Sequence, residues 1–303
     1  MGGQLSPTAR GIGCIVLAML LFTLIDTVVK WLSAAGYSTW QLVFCRSVFS
    51  YIPILLLMRF QGGLRRVRTT RLRDHLVRAM VGLSALWFWF YSYRDLALAD
   101  AYALSFTAPL FMTALSVPLL GERVGIHRWS AVMLGFGGVM IMVQPGSGVF
   151  GIAALYVLLS AGLYALAMIQ VRGLGRTEHA LTTVFYFTTV CTVVSAFSLP
   201  VVGRWPASSL DAALLVALGL LGGLAQLCLT QAYRYAPVSV IAPFDYTSML
   251  WAVLLGLAVF GDVPGWPVLV GSAVVIASGL YILRREALRR GAPLADPKPA
   301  VPG

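Results

Sequence analysis

The chain has 303 residues, of which 59% are hydrophobic and only 11% are charged. A soluble domain carries about 25% charged residues, so this chain has too few charges to cover a water-facing surface. The composition therefore excludes a soluble protein and predicts a polytopic membrane protein in contact with a lipid bilayer. A net charge of +11 would suggest a nucleic-acid partner for a soluble chain, but the positive-inside rule explains it here without one.

Ten apolar segments predict ten membrane-spanning helices, each close to the roughly 20 residues that such a helix needs. Breaking the chain at glycines, prolines and charged clusters gives spans at residues 11–33, 39–58, 76–93, 100–120, 127–144, 151–171, 180–202, 211–233, 237–260 and 265–283. The connections between them leave no room for a soluble domain. No GxxxxGK sequence is present, so any transport would be secondary or passive.

The basic residues predict the orientation of the chain in the membrane. With the N-terminus in the cytoplasm, 18 of the 22 Lys and Arg residues lie on the cytoplasmic side, including seven arginines within residues 59–78. The opposite orientation would place these residues outside, so we expect both termini to be cytoplasmic. Recognition of a specific lipid is an alternative role for residues 59–78, but orientation alone accounts for them.

The first half of the chain resembles the second half at a shift of 140 residues, which aligns Gly11 with Gly151. Further matching pairs are Gly82 with Gly222, Tyr93 with Tyr233, Thr107 with Thr247, and Gly121 with Gly261. Each copy contains five spans, and this odd number means that the second copy enters the membrane from the opposite side. We therefore predict inverted five-helix repeats at residues 1–145 and 146–285, followed by a disordered cytoplasmic tail at residues 286–303. Inverted repeats with a solute site between them are typical of secondary transporters.

The fourth span contains the run AYALSFTAPL at residues 101–110, closed by LGE at residues 120–122, and a degenerate second copy ends in FGD at residues 260–262. These motifs resemble the drug/metabolite transporter superfamily, specifically its ten-span members with two EamA-type repeats. The resemblance implies an all-α basket with spans 1, 3, 4, 6, 8 and 9 around a central cavity, and with spans 5 and 10 at the periphery. It also implies a multi-pass protein of the bacterial inner membrane.

Two finer resemblances concern the solute. Within the superfamily, the chain resembles amino-acid exporters of the YddG type. Residues 22–30 and 41–46 are similar to a subset that includes transporters of amino acids, riboflavin and S-adenosylmethionine.

Charged residues inside predicted spans are candidates for coupling or gating, because they are costly in hydrocarbon. Asp26 in span one and Arg46 in span two both lie about 10 Å from the same membrane face, at 1.5 Å per helical residue. We expect them to form an ion pair, either structural or as a gate, with Lys30 one turn from Asp26 on the same face.

Asp245 lies about nine residues into span nine, close to the midplane, with no basic residue evident at its depth. An unpaired carboxylate at this depth is a candidate to carry a coupling proton or to bind solute. Pro237 and Pro243 precede Asp245, so we expect the helix to be kinked there, with free backbone carbonyl groups beside the carboxylate.

Aromatic and amide side chains fall on the spans that the resemblance places around the cavity. A cavity lined by rings with a few polar tips suits an amphipathic organic solute, although core packing is an equally good explanation for the rings. The predicted solute-binding residues are Trp87, Tyr91, Tyr102, Phe106, Tyr164, Gln226, Tyr246 and Trp251.

The sequence thus predicts a secondary transporter that moves a small amphipathic metabolite by alternating access, with export of amino acids, including aromatic ones, as the first choice. Uptake of a cofactor-like metabolite such as riboflavin or S-adenosylmethionine is the alternative.

An integral-membrane enzyme is disfavoured because no HExxH motif and no intramembrane Ser/His/Asp set occurs, so we expect no catalytic residues. No cofactor or metal is expected either, since the four cysteines lie in apolar runs without CxxC spacing. The oligomeric state is not predicted.

Overall fold

A computed structural model describes residues 7–60, 67–121, 126–144, 151–174, 177–178, 180–235 and 242–291. Within these ranges every regular element is helical. The helices are α1 (Pro7–Ala34), α2 (Thr39–Phe60), α3 (Leu72–Ser92), α4 (Leu98–Ser105), α5 (Ala108–Leu120), α6 (Ile126–Val143), α7 (Gly151–Leu174), α8 (Ala180–Val202), α9 (Ser209–Tyr235), a 3-10 helix (Ala242–Tyr246), α10 (Thr247–Leu255), a π-helical turn (Gly256–Phe260) and α11 (Trp266–Gly291).

The helices correspond to the ten predicted spans, with α4 and α5 together forming the fourth span, and the 3-10 helix, α10 and the π-helical turn forming the ninth. Six of the described helices are long and apolar enough to cross a membrane, and three shorter apolar helices lie at residues 129–143, 244–260 and 266–281. The remaining span is α3, which carries Arg73, Asp74 and Arg78 in its first two turns. The prediction of an all-α polytopic membrane protein is confirmed.

Helices of the two repeats alternate around a ring. In order, the ring contains α1, α9, α2, α8, α3, α7, the α4–α5 span and the α10 span, which returns to α1. The contacts obey the predicted symmetry, because α1 packs on α9 as α7 packs on α3, and α2 packs on α9 as α8 packs on α3. The resemblance implied six spans around the centre, whereas α2 and α8 also take part in the ring. The peripheral position of spans five and ten is confirmed, since α6 pairs with α11 outside the ring.

The fourth and ninth spans are broken at equivalent places. The Thr107 hydroxyl donates to the Leu104 carbonyl oxygen at 2.7 Å, and the Thr247 hydroxyl donates to the Phe244 carbonyl oxygen at 2.7 Å. Each hydroxyl satisfies a carbonyl group that the break removes from the regular helical pattern. The expected kink near Asp245 is therefore present as the 3-10 helix, in which the carbonyl oxygens of Phe244 and Asp245 accept hydrogen bonds from the hydroxyl groups of Thr247 and Ser248. Pro237, to which the kink was partly attributed, lies outside the described residues.

Two of the repeated glycines end the broken spans. Gly121 and Gly261 have φ values of +65° and +71°, in the left-handed region that glycine adopts without strain. Their N–H groups donate to the carbonyl oxygens of Val117 and Leu257, each at 3.1 Å. The sequence match at these positions therefore reflects one helix-ending geometry, used twice.

The final helix extends beyond its prediction. α11 runs to Gly291, six residues into the segment predicted as a disordered tail. The sequence RREALRR at residues 284–290 is rich in strong helix formers, which favours continuation of the helix. The rest of that predicted tail, residues 292–303, lies outside the described residues.

Candidate functional site

Asp26 is the most enclosed carboxylate of the first repeat, with 5% of its surface exposed. Its two oxygens accept hydrogen bonds from the Tyr102 hydroxyl at 2.6 Å and from the Trp89 indole N–H at 3.2 Å. The expected ion pair with Arg46 is wrong, since among the described residues no basic group lies within 4.0 Å of Asp26. Neutral donors satisfy this carboxylate because α3 and α4 present their aromatic side chains to α1.

Arg46 instead lies half-buried on α2, with its guanidinium group 6.0 Å from the centre of the Phe90 ring. It still acts electrostatically on Asp26 and on the buried Cys191. A Cβ atom at Gly222 would lie 3.8 Å from Arg46 Nε, an ordinary van der Waals distance, so the glycine lies beside this side chain. Arg46 thus contributes positive charge to the interior without a directly paired carboxylate in the described structure.

Lys30 pairs across the two repeats and does not face Asp26. Its ammonium group lies 2.5 Å from Asp262 Oδ2 and 4.6 Å from the centre of the Phe260 ring. Asp100, at the start of α4, interacts electrostatically with both members of this pair. Asp100 and Asp262 were not among the predicted site residues, although the repeat had matched Gly261 and Asp262 to Gly121 and Glu122. We refer to this end of the molecule as the Lys30 end.

Asp245 lies in the 3-10 helix and has a buried Oδ1 atom without a hydrogen-bond partner in the described structure. No basic group of the described residues lies within 4.0 Å of it. The next residue, Tyr246, contacts the Phe106 ring edge-on at 4.9 Å between ring centres and so joins the ninth span to the fourth.

Arg78 is a buried charge that the sequence interpretation missed. It was assigned to the cytoplasmic arginines, but it lies in the second turn of α3, and its Nε and Nη1 atoms are buried without a hydrogen-bond partner among the described residues. Its guanidinium group lies 4.5 Å from the centre of the Phe187 ring on α8. A Cβ atom at Gly82 would lie 3.7 Å from Arg78 Nη1. The repeat-related glycines Gly82 and Gly222 therefore each lie beside an arginine.

Tyr164 lies within electrostatic range of both Arg78 and Asp245. The residue is nevertheless 46% accessible. Since these charges come from α3 and from the 3-10 helix of the ninth span, which are not neighbours in the ring, we take this accessible surface to face the space that the ring encloses. Tyr164, Arg78 and Asp245 thus mark one region of the interior.

The predicted aromatic residues divide into separate groups. Trp87 and Tyr91 stack with ring centres 4.8 Å apart, and Trp40 on α2 contacts Trp87 at 5.7 Å. Tyr102 belongs to the Asp26 group, and Phe106 pairs with Tyr246. The remaining predicted residues, Gln226 on α9 and Trp251 on α10, are half-buried. The indole nitrogens of Trp87 and Trp251 are buried without a hydrogen-bond acceptor in the described part of the chain.

Hydrogen bonds close the Lys30 end between the loop after α1 and the loop after α8. The Tyr37 hydroxyl donates to Asp211 Oδ2 at 2.8 Å, and the Gln41 side chain exchanges two hydrogen bonds with the backbone of Arg204 at 2.6 and 2.9 Å. Desolvation raises the pKa of Tyr37 above its usual value, and the bond to Asp211 acts in the same direction. The hydroxyl therefore remains a donor at neutral pH.

A second network joins the repeat-equivalent loops at the opposite end. Thr69 donates to Glu178 Oε1 at 2.8 Å, and Arg71 donates to Thr177 at 3.0 Å. His75 lies 3.5 Å from Glu178 and stacks on the Tyr186 ring at 4.9 Å. We call this the His75 end. The described structure thus has interlocked loops at both ends and buried polar groups between them.

A ring of inverted repeats that encloses unpartnered polar groups between two hydrogen-bonded ends is the architecture of an integral-membrane transporter. Comparison with known proteins agrees with this class. The sequence pattern of the EamA-like transporter family matches residues 9–144 and, a second time, residues 151–284, so the chain belongs to that family. The resemblance inferred from residues 101–110 and 260–262 is thereby confirmed, and the family consists of transporters and not of enzymes.

The chain matches several bacterial relatives over almost their whole length. The chain is 31% identical to a riboflavin transporter of Rhizobium johnstonii, over 95% of this chain and 96% of the relative. It is 27% identical to an S-adenosylmethionine uptake transporter of Rickettsia conorii, over 94% and 96%. It is 29% identical to the pseudopaline exporter CntI of Pseudomonas aeruginosa, over 91% and 96%. A solved crystal structure shares the fold at a TM-score of 0.61 and 17% identity, over 91% of this chain and 99% of that one.

Proposed function

We propose that this transporter moves a small organic solute with a planar ring by alternating access between the Lys30 end and the His75 end. The observation that carries the proposal is the partly accessible Tyr164 ring, which lies within electrostatic range of Arg78 and Asp245. The stacked rings of Trp87 and Tyr91 add support, as do the indole N–H groups of Trp87 and Trp251, which lack acceptors in the described structure. Ring stacking with a few hydrogen-bond donors suits an aromatic or heteroaromatic solute.

Uptake of a flavin, with riboflavin as the first compound to test, is the leading candidate. It is supported by the named function of the Rhizobium johnstonii relative and by the aromatic residues of α3. Export of amino acids, including aromatic ones, is the second candidate. The specific observation in its favour is that buried atoms of an arginine, Arg78, and of a carboxylate, Asp245, lack hydrogen-bond partners in the described structure, which suits a zwitterion.

Counterflow in proteoliposomes tests both candidates. Vesicles loaded with unlabelled riboflavin are expected to accumulate radiolabelled riboflavin saturably, and tryptophan and S-adenosylmethionine are measured in parallel, with and without a pH gradient. Amino-acid counterflow without riboflavin counterflow would select the second candidate. Absence of counterflow for every compound would contradict the proposed solute class.

The proposed orientation places the Lys30 end outside the bacterial inner membrane and both termini in the cytoplasm, because the loops of the His75 end carry most of the arginines. Single cysteines at the exposed positions Ala207 and Thr70 test this orientation in intact cells. A membrane-impermeant maleimide is expected to label Ala207→Cys but not Thr70→Cys, and the reverse result would contradict the orientation.

A further inference from the structure

The burial of Arg78 is not explained by orientation in the membrane. An arginine that only marks the cytoplasmic side extends its guanidinium group toward the interface, where water solvates it. In Arg78 the Nε and Nη1 atoms are buried, the Phe187 ring lies against the guanidinium group, and no acceptor or carboxylate in the described structure is bonded to these atoms. Guanidinium N–H groups that are buried without acceptors destabilise the protein unless another molecule supplies those acceptors.

A second unpartnered group lies in the other repeat. The Asp245 Oδ1 atom is buried without a donor in the described structure, in the broken segment of the ninth span. Arg78 and Asp245 both lie within electrostatic range of the Tyr164 hydroxyl, and no ion pair in the described structure joins them. The two side chains therefore have buried polar atoms of opposite charge that remain unpaired in one region of the molecule.

Local packing holds the Arg78 guanidinium group in place. A Cβ atom at Gly82 would lie 3.0 Å from the Phe187 ring, so the glycine permits the close approach of Phe187 that covers the guanidinium plane. The Phe187 ring covers only one face of the guanidinium plane. The N–H groups along the edge of that plane can still donate hydrogen bonds to two acceptor oxygens at once.

We propose that Arg78 is the solute-binding residue that recognises an acceptor group on the solute, a carboxylate or the paired carbonyl oxygens of a heteroaromatic ring, while Asp245 receives a donor group of the same molecule. This proposal rests on the proposed function. It narrows the class of solutes to dipolar ring compounds that carry hydrogen-bond acceptor oxygens on one edge. A neutral hydrocarbon ring or a purely cationic amine does not meet both requirements.

Binding to purified protein in detergent tests this assignment independently of transport. The probes are riboflavin and indole-3-propionate, which carry acceptor groups, and tryptamine, which has the indole ring and an amine but no acceptor. Quenching of tryptophan fluorescence reports binding of the flavin, and thermal stabilisation reports binding of the two indoles. The variants are Arg78→Gln, Arg78→Lys and, as a matched control on the same helix, the exposed Arg73→Gln.

We expect the wild type to bind at least one acceptor-bearing probe, and Arg78→Gln to weaken that binding about tenfold to a hundredfold, the range for a lost hydrogen bond to a charged group. Arg78→Lys should restore part of the affinity for indole-3-propionate, and Arg73→Gln should match the wild type. Should Arg78→Gln misfold, the Lys variant carries the test, since its loss of affinity for riboflavin should exceed that for indole-3-propionate.

Unchanged affinity in Arg78→Gln, an equal loss for tryptamine, or a wild type that binds neither acceptor-bearing probe would overturn the assignment. Failure of the proposed function has a different signature. In that case the wild type binds an acceptor-bearing probe in an Arg78-dependent manner but shows no counterflow of any compound in proteoliposomes.

Discussion

Lys30 in the first repeat and Asp262 in the second form an ion pair of 2.5 Å that links α1 to the turn before α11. The side chains are 16% and 30% exposed, so water and salt screen the pair only in part. Asp100 lies within electrostatic range of both groups. Removal of Lys30 leaves two neighbouring carboxylates without a cation, whereas removal of Asp262 leaves Lys30 with Asp100.

We therefore expect Lys30→Met to destabilise the protein more than Asp262→Asn. The double variant should be more stable than the sum of the single effects predicts, with a coupling energy of about 1 kcal/mol. Unfolding titrations in mixed detergent measure the free energies, and Asp95→Asn at an exposed position near the same end is the control. Strictly additive effects would show that the pair contributes nothing to stability.

Hydrogen bonds from uncharged donors stabilise the buried Asp26 carboxylate. Tyr102→Phe removes the 2.6 Å hydrogen bond and is expected to cost about 1.5–3 kcal/mol of stability, the range for hydrogen bonds to charged groups. Tyr156→Phe is the matched control, because no hydrogen bond of its hydroxyl group is present in the described structure. Equal melting temperatures for both variants would contradict the importance of the Tyr102 bond.

The two loop networks are expected to control access from opposite ends. Tyr37→Phe weakens the Lys30 end and Thr69→Ala weakens the His75 end, and loss of about 1 kcal/mol at one end shifts an opening equilibrium roughly fivefold. A single cysteine at position 164, in a background without native cysteines, reports access to impermeant maleimide from either side. Each variant should raise labelling from its own end only, and equal increases from both sides would indicate general loosening instead.

Asp245 is expected to be required for proton coupling or solute binding. Asp245→Asn keeps the shape of the side chain but cannot ionise, so stimulation of counterflow by a pH gradient should be lost while the protein remains folded. Asp95→Asn, at an exposed position near the Lys30 end, is the control for removal of a carboxylate. Gradient-driven flux that survives unchanged in Asp245→Asn would exclude a coupling role.

Close packing of α6 on α11 depends on Gly138 and not on its neighbour Gly137. A Cβ atom at Gly138 would lie 2.8 Å from the Gly271 carbonyl oxygen, a backbone atom that cannot move cheaply, whereas nothing lies within 4 Å of such an atom at Gly137. Gly138→Ala is expected to cost about 1–3 kcal/mol of stability. Gly137→Ala should be neutral or stabilising by up to about 1 kcal/mol, because alanine is the better helix former. Melting curves that rank the two variants in the opposite order would contradict this packing.

The sequence by itself determined the spans, the repeat and the family. Apolar runs of spanning length, glycines that end helices and a constant shift of 140 residues are local or periodic features, and the structure reproduces them as ten spans with matched breaks at Thr107 and Thr247.

Only the tertiary structure determined which charged side chains contact each other. Depth along a helix placed Asp26 and Arg46 at one level, but rotation of each helix about its axis decides which neighbour a side chain faces. In a membrane both polar and apolar faces pack against other helices or lipid, so the sequence gives little indication of that rotation. Asp26 therefore turns to Tyr102, Lys30 meets a residue 232 positions away, and Arg78 enters the interior although its position in the sequence resembles that of an orienting arginine.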